Sequence, residues 1–143
     1  MNHQSNCNCA ICNGLDYESW KNKCMAETGW YAHYVPENNV VNAHTHGLID
    51  SQNHLDFQIL FPIEQKTAHS IFTTLCDRVK NGERFHNNDV LENVIGNGYK
   101  IKLFLTNEGN RPVLRIIFPN VDGNLELIDF EKDSIYESQY SKN

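Results

Sequence analysis

Cysteines crowd the N-terminal end of the chain, where Cys7, Cys9 and Cys12 stand among Asn, Ser and Gly residues and Cys24 follows a dozen residues later. Four thiolates enclose a zinc ion tetrahedrally, and Cys9-x-x-Cys12 has the two-residue spacing that zinc sites use. A polar segment that cannot bury a core would gain order from such bonds. The pattern predicts a structural zinc site. The alternative is an N-terminus with exposed thiols and a Cys24 that packs in the core.

A second group of potential ligands combines histidines with a carboxylate. His44 and His46 are two residues apart, so on a strand they project from the same face, and His54 and Asp56 repeat this spacing. If the two strands form a hairpin with both pairs on one side, the four side chains converge. Such a set binds zinc, iron or another divalent metal, which predicts metal-assisted hydrolysis or oxygen chemistry. The alternative is that these groups hydrogen-bond one another and the backbone at a strand end.

The elements that would position these residues can be read from the hydrophobic pattern. Alternation of apolar and polar residues predicts strands over residues 30–35, 40–48, 55–61, 99–105 and 113–118. The strands fall into two blocks with helices between them. This order predicts an α+β fold, with a mainly antiparallel sheet of about five strands and helices packed on one face.

Three helices are predicted. The clearest covers residues 64–81, where apolar residues recur with a period of 3.6 and Gly82 provides a stop. Residues 16–27 form a shorter one that Asp16 can cap. A third helix is expected to start at Asp89 and to end before Gly96.

Several short motifs follow one another in an order typical of a known family. They are Gly29-Trp30 through Val35, His46-Gly47-Leu48, Asn81-Gly82-Glu83-Arg84-Phe85, Gly98-Tyr99-Lys100-Ile101 and Leu114-Arg115-Ile116-Ile117-Phe118-Pro119. Through these motifs, over roughly residues 24 to 125, the chain resembles the bacterial domain-of-unknown-function family 4262. The resemblance implies a compact bacterial α+β protein and no particular activity.

The chain departs from the commoner pattern of that family at one place. Where many members carry Tyr-Thr-Val-Gly-Leu, this chain has His44-Thr45-His46-Gly47-Leu48. Chemistry based on these histidines would therefore belong to a subgroup, and the resemblance does not supply it.

Composition and charge reduce the number of function classes that fit the sequence. The chain has 143 residues, with 12 basic against 18 acidic residues and a net charge of −6, which argues against non-specific nucleic-acid binding. No apolar stretch is long enough to span a bilayer, and the polar N-terminus does not resemble a secretory signal. We therefore expect a cytoplasmic protein with reduced thiols and no membrane partner. The expected organisation is a cysteine-bearing segment (1–14), one α+β domain (15–130) and a polar tail (131–143).

Three functions from different classes fit these observations. The first is an uncharacterised protein with a structural zinc site at the N-terminal cysteines. The second is a protein-binding or immunity-type module without catalysis, whose acidic charge would speed association with a basic partner. The third is a metal-dependent hydrolase that uses the His/Asp group. An enzyme needs a concave metal site open to water, whereas an interaction module needs an exposed patch.

Overall fold

The computed structural model describes residues 17–120 and, beyond them, residues 123, 125 and 139. The helices in this part of the chain are α1 (Tyr17–Glu27), α2 (Leu48–Gln52) and α3 (Gln65–Lys80). The strands are β1 (Tyr31–Glu37), β2 (Val40–His46), β3 (Asp56–Phe61), β4 (Val90–Leu91), β5 (Ile101–Glu108) and β6 (Arg111–Ile117). Within these residues, no helix combines the length and the apolar character that crossing a bilayer requires.

All of these strands pair into one sheet with the order β1-β2-β3-β6-β5-β4. Neighbouring strands are antiparallel except β3 and β6, which run parallel. The parallel pair requires a long connection, because a tight hairpin joins only antiparallel strands, and the chain between β3 and β6 provides it through α3, β4 and β5. The predicted α+β fold with a mainly antiparallel sheet is confirmed, with six strands where about five were expected.

The apolar core lies on one face of this sheet. Ala43 pairs with Ile59 and Leu103 pairs with Ile116 on that face, and none of the four is exposed to solvent. Helix α3 covers this face with its apolar stripe, which consists of Ala68, Ile71, Phe72, Leu75, Cys76 and Val79. The stripe follows the 3.6-residue period that the sequence shows, so burial of these side chains accounts for both the position and the orientation of α3.

The opposite face carries polar side chains in a row. The register pairs His33 with His44, His44 with Gln58, and Gln58 with Arg115, which sets these residues side by side across β1, β2, β3 and β6. Helix α1 lies against the β1 end of this row, where the Tyr17 hydroxyl is 3.0 Å from His33 Nε2. Helix α1 and helix α3 therefore contact different faces of the sheet.

The register of β1 and β2 is fixed by a two-residue turn. Glu37 pairs with Val40, and the residues between them, Asn38 and Asn39, have φ values of 40° and 70°. Two consecutive residues at positive φ are typical of the hairpin turn that matches the twist of antiparallel strands, and asparagine tolerates this conformation. The turn therefore determines which β2 residue lies opposite each β1 residue.

Replacing both Asn38 and Asn39 with alanine is expected to lower the free energy of unfolding by about 1–2 kcal/mol, because alanine tolerates the left-handed backbone less well than asparagine does. Urea denaturation measures the change. Glycine at both positions adopts positive φ without this cost and serves as the matched control. A double-alanine variant as stable as the double-glycine variant would contradict this account of the turn.

The helix predicted from Asp89 is wrong. Val90 and Leu91 form β4 and pair with β5, and Leu91 is buried against the core. Asn88 and Asn93, on either side of this strand, have φ values of 71° and 63°. A left-handed residue such as Asn93 cannot continue a right-handed helix, and strand pairing buries Leu91 while Val90 on the same strand stays exposed.

Candidate metal centre

The β1–β2 hairpin brings three histidines together on the polar face of the sheet. His44 and His46 are two residues apart on β2, and His33 on β1 pairs directly with His44. Because side chains on a strand alternate between faces, all three imidazoles project to the same side. One ring nitrogen from each lies within 4.8 Å of the other two. We call His33, His44 and His46 the histidine centre.

The rings of the centre pack against one another. The His33 and His44 rings are nearly parallel, with centroids 5.6 Å apart, whereas the His46 ring meets the His33 ring edge-on at 4.9 Å. His44 is buried at 7% exposure, and the other two are half-buried. The histidine centre therefore has a buried side, formed by His44, and a side nearer to solvent, formed by His33 and His46.

Burial keeps two of these imidazoles neutral. The pKa of His44 is lowered to about 4, chiefly by desolvation; Glu108 opposes this decrease, and the neighbouring His33 and Arg111 contribute to it. Desolvation, followed by the charge of Arg111 and the other rings, lowers the pKa of His46 to about 3. A neutral imidazole has one nitrogen with a free lone pair, which is the form that binds a metal ion.

Aromatic side chains surround the exposed side of the centre. Tyr31 stacks on His46 with centroids 5.2 Å apart, and Trp20 from α1 lies against both Tyr31 and His33. Burial raises the pKa of Tyr17 to about 12, so its hydroxyl next to His33 stays protonated at neutral pH. These contacts place aromatic rings against His33 and His46, the two half-buried members of the centre.

An ion pair between Glu108 and Arg111, on either side of the β5–β6 turn, lies next to the histidine centre. Glu108 Oε1 is 4.0 Å from His44 Nε2 and accepts a hydrogen bond of 2.9 Å from Arg111 Nε. The same guanidinium donates to Asp56 Oδ2 and to the Thr45 carbonyl oxygen. Arg111 therefore holds the Glu108 carboxylate beside His44 while its own position is fixed by β2 and β3.

A chain of buried polar groups extends from His44 into the sheet. His44 Nδ1 is 3.2 Å from Asn42 Oδ1, and Gln58 Nε2 donates to that oxygen at 3.0 Å. Arg115 Nε in turn donates to Gln58 Oε1 at 2.8 Å, and its Nη1 donates to the Gln139 carbonyl oxygen. Desolvation lowers the pKa of Arg115 to about 10, so the buried guanidinium keeps its charge at neutral pH.

His54, one of the predicted ligands, lies outside the centre. Its Nε2 accepts a hydrogen bond from the Phe85 backbone N–H at 3.0 Å, and its Nδ1 lies 2.7 Å from the Leu55 carbonyl oxygen. The ring packs against Phe57 and Phe85. Both nitrogens thus bond the backbone, and this imidazole ties the segment after α3 to the start of β3.

Asp56, the predicted carboxylate, is also directed elsewhere. Its Oδ1 accepts from Thr45 Oγ1 at 2.8 Å and from the Leu48 backbone N–H at 3.2 Å, and its Oδ2 accepts from Arg111. Burial raises the pKa of Asp56, and these hydrogen bonds and the nearby guanidinium oppose the rise. The structure therefore brings His44 and His46 together with His33, and does not bring His54 or Asp56 to them.

Of the four cysteines in the N-terminal pattern, Cys24 alone lies among the described residues. Cys7, Cys9 and Cys12 lie outside the described residues. Cys24 lies on α1 and is half-buried, and desolvation raises the pKa of its thiol, with Glu27 adding to the effect. The zinc site proposed for these four residues stays a prediction.

His33 is the member of the centre that the spacing argument did not include. Its position follows from the two-residue turn, because Glu37 opposite Val40 requires His33 to lie opposite His44. The signal was present in the sequence as Asn38-Asn39 between two alternating runs, a dipeptide suited to positive φ.

Comparison with known proteins gives one match. The family model described as "Domain of unknown function (DUF4262)" matches residues 24–117, which contain the whole histidine centre and Glu108. No curated protein and no solved structure matches the chain.

Proposed function

The chain belongs to the DUF4262 family, and for this member we propose a metal-binding function centred on His33, His44 and His46. The observation that carries the proposal is the grouping of three ring nitrogens within 4.8 Å of one another. In a tetrahedral site with Zn–N bonds of about 2.0–2.1 Å, neighbouring nitrogens are about 3.3 Å apart. Rotation of the rings about their side-chain torsions closes the remaining gap.

The donor set favours a transition metal, and we propose zinc. Imidazole nitrogens suit Zn, Cu, Ni and Fe, whereas Mg and Ca prefer oxygen ligands. The low pKa values of His44 and His46 mean that no proton has to be displaced from these rings at neutral pH. Their position on two paired strands holds the ligands close together before the metal arrives, which lowers the entropic cost of binding.

Glu108 is the proposed fourth protein group of this centre. Its Oε1 is 4.0 Å from His44 Nε2, longer than the separation of about 3.3 Å between neighbouring ligand atoms in a tetrahedral zinc site, so the carboxylate would stand beside the ion without binding it directly. Three histidines with Glu108 in this outer position would leave the fourth position of a tetrahedral metal ion to a water molecule. A bound metal would lower the pKa of that water and make it a nucleophile, which is the chemistry of a metal-dependent hydrolase. The hydrolase function is thus proposed on a different residue set from His54 and Asp56.

The decisive experiment measures zinc affinity by isothermal titration calorimetry on untagged, chelator-treated protein, with metal content from plasma mass spectrometry. We expect the histidine centre to bind about one zinc per chain. His33→Ala is expected to weaken this binding at least about a hundredfold, because two imidazoles do not form a closed ligand set. His86→Ala, which removes an imidazole that is 75% exposed, is the matched control and should bind like the wild type.

A triple Cys7/Cys9/Cys12→Ser variant separates this centre from the proposed N-terminal zinc site. If zinc survives the serine substitutions and is lost in His33→Ala, the histidine centre is the binding site. Loss in the serine variant alone would contradict the histidine centre and favour the structural cysteine site. Failure of every protein to bind zinc, copper or nickel would contradict both and leave the protein-binding module as the leading function.

A further inference from the structure

The chain of buried polar groups behind His44 has a fixed direction. A guanidinium has only donors, so Arg115 Nε must donate to Gln58 through the amide oxygen. The Gln58 amide therefore presents its NH₂ group to Asn42, and the Asn42 atom that receives it must be the oxygen. At the other end of Asn42, the NH₂ group faces the Glu37 carboxylate, which can only accept.

This direction determines the proton on His44. The Asn42 oxygen is an acceptor, and the ring nitrogen 3.2 Å from it is Nδ1. A hydrogen bond across this contact requires the proton to be on Nδ1. A neutral imidazole carries one ring proton, so Nε2 is left with the lone pair. Nε2 is the nitrogen near Glu108, on the side away from Asn42.

We propose that Arg115, acting through Gln58 and Asn42, fixes His44 in the Nδ1–H tautomer and so presents Nε2 as the metal-binding nitrogen. Arg115 is thus a positioning residue two side chains away from the ring that it orients. Its place in the sheet supports the assignment: Arg115 and Gln58 are both at 0% exposure. Apolar side chains would fill these positions without the desolvation cost of a buried charge. The consequence for metal affinity rests on the function proposed above, whereas the tautomer does not.

Two isosteric substitutions are predicted to have different effects on the tautomer of His44. Gln58→Glu removes the NH₂ group, and Arg115 keeps the new carboxylate ionised. Asn42 must then turn its own NH₂ toward the carboxylate, and the same NH₂ would face His44 Nδ1. This arrangement favours the Nε2–H tautomer. Asn42→Asp keeps an acceptor for both Gln58 and His44, and Glu37 at the half-exposed strand end can turn to solvent. This variant retains the Nδ1–H tautomer.

The test reads the tautomer directly in the metal-free protein. Long-range ¹H–¹⁵N spectra of ¹⁵N-labelled protein distinguish the protonated from the unprotonated ring nitrogen, and the signals lost in a His44→Gln variant assign this ring. We expect Nδ1–H in the wild type and in Asn42→Asp, and Nε2–H in Gln58→Glu. An Nε2–H tautomer in the wild type would overturn the proposal without any variant, and so would an unchanged tautomer in folded Gln58→Glu.

Zinc titration of the same three proteins supplies the second readout. Gln58→Glu is expected to bind zinc about 10–100-fold more weakly, the range for loss of an outer hydrogen-bond partner, and Asn42→Asp at least as tightly as the wild type. Each substitution adds one negative charge, so a simple charge effect would tighten both. Equal or tighter binding by Gln58→Glu would overturn the link to metal affinity. A tautomer switch in a protein that binds no zinc would contradict the metal-binding function and leave the positioning chain intact.

Discussion

Replacing Gly47 with alanine is expected to lower the free energy of unfolding by about 2–5 kcal/mol. Gly47 joins β2 to α2 with φ of 105° and ψ of −17°, a backbone conformation that side chains disfavour. A Cβ at this position would also contact Met25 Sδ and would lie 3.0 Å from the Gly29 carbonyl oxygen. The thioether can move, but the carbonyl belongs to the backbone that leads into β1, so part of the clash cannot relax.

Gly82 provides the matched control for this prediction. Its φ of 104° is nearly the same, and no heavy atom lies within 4 Å of the Cβ that alanine would add. Gly82→Ala therefore pays the backbone cost alone, about 1–2 kcal/mol. Urea denaturation of both variants isolates the packing contribution. If Gly47→Ala were no less stable than Gly82→Ala, Met25 and the Gly29 carbonyl oxygen would not lie as close to Gly47 as the structure places them.

Acidification in the absence of metal is expected to remove several kcal/mol of stability through the histidine centre. The pKa of His44 is about 4 and that of His46 about 3 in the folded protein, against 6.5 for an unperturbed imidazole. Below pH 6.5 the unfolded chain therefore binds protons that the folded chain excludes. Stability from these groups is present in full above pH 6.5 and falls as the pH drops toward 4 and 3.

The expected loss between pH 7.5 and pH 4 is about 3–5 kcal/mol for the two rings together. Each ring alone corresponds to at most about 3 kcal/mol, at about 1.4 kcal/mol per pKa unit, and solvent screening at the half-buried His46 reduces its share. The sum is smaller than twice that value because the rings interact and do not titrate independently. Asp56 acts in the opposite direction. Because burial raises the pKa of this carboxyl, its protonation at lower pH stabilises the folded protein.

A His44→Gln/His46→Gln variant tests this origin of acid sensitivity. Urea denaturation in chelator at pH 7.5 and pH 4 should show a smaller loss for this variant than for the wild type. His86→Gln removes an exposed imidazole and should follow the wild type. Equal pH dependence of all three proteins would mean that the His44 and His46 rings take up protons as readily in the folded state as in the unfolded state.

Metal binding and the hydrogen-bond chain from Arg115 impose different requirements on the His44 ring. Metal binding requires only that His33, His44 and His46 each offer an unprotonated nitrogen to one point. The chain from Arg115 specifies which nitrogen His44 offers. Under this proposal, a buried arginine and glutamine occupy the centre of the sheet for their hydrogen bonds, although an apolar pair would pack there at lower cost.

Much of the fold was determined by local sequence patterns. The 3.6-residue stripe from Ala68 to Val79 predicted α3, and alternation predicted the longer strands, because burial on one face leaves a period in the sequence. The segment after Asp89 shows where this reasoning fails. Its few apolar residues fit a short helix as well as a strand, and the positive φ of Asn88 and Asn93 decided between them.

The histidine centre was determined only in part by the sequence. The spacing of His44 and His46 placed them on one face of a strand, because side chains alternate with a period of two. Adding His33 needed the register of the β1–β2 hairpin, which the Asn38-Asn39 turn determines. His54 and Asp56 share the spacing of the first pair, but periodicity does not say which hydrogen-bond partners a polar side chain finds.

The tertiary structure determines the hydrogen-bond partners of these two side chains. It placed the Thr45 hydroxyl and the Leu48 N–H at Asp56, and the Phe85 N–H at His54, so that separate local hydrogen bonds and not a shared ligand site satisfy these side chains. It also placed Gln58 beside His44 through the antiparallel pairing of β2 with β3, and Arg115 beside Gln58 through the parallel pairing of β3 with β6, two strands that are far apart in the sequence. Local patterns determine the face on which a residue lies, whereas long-range strand pairing determines its neighbours on that face.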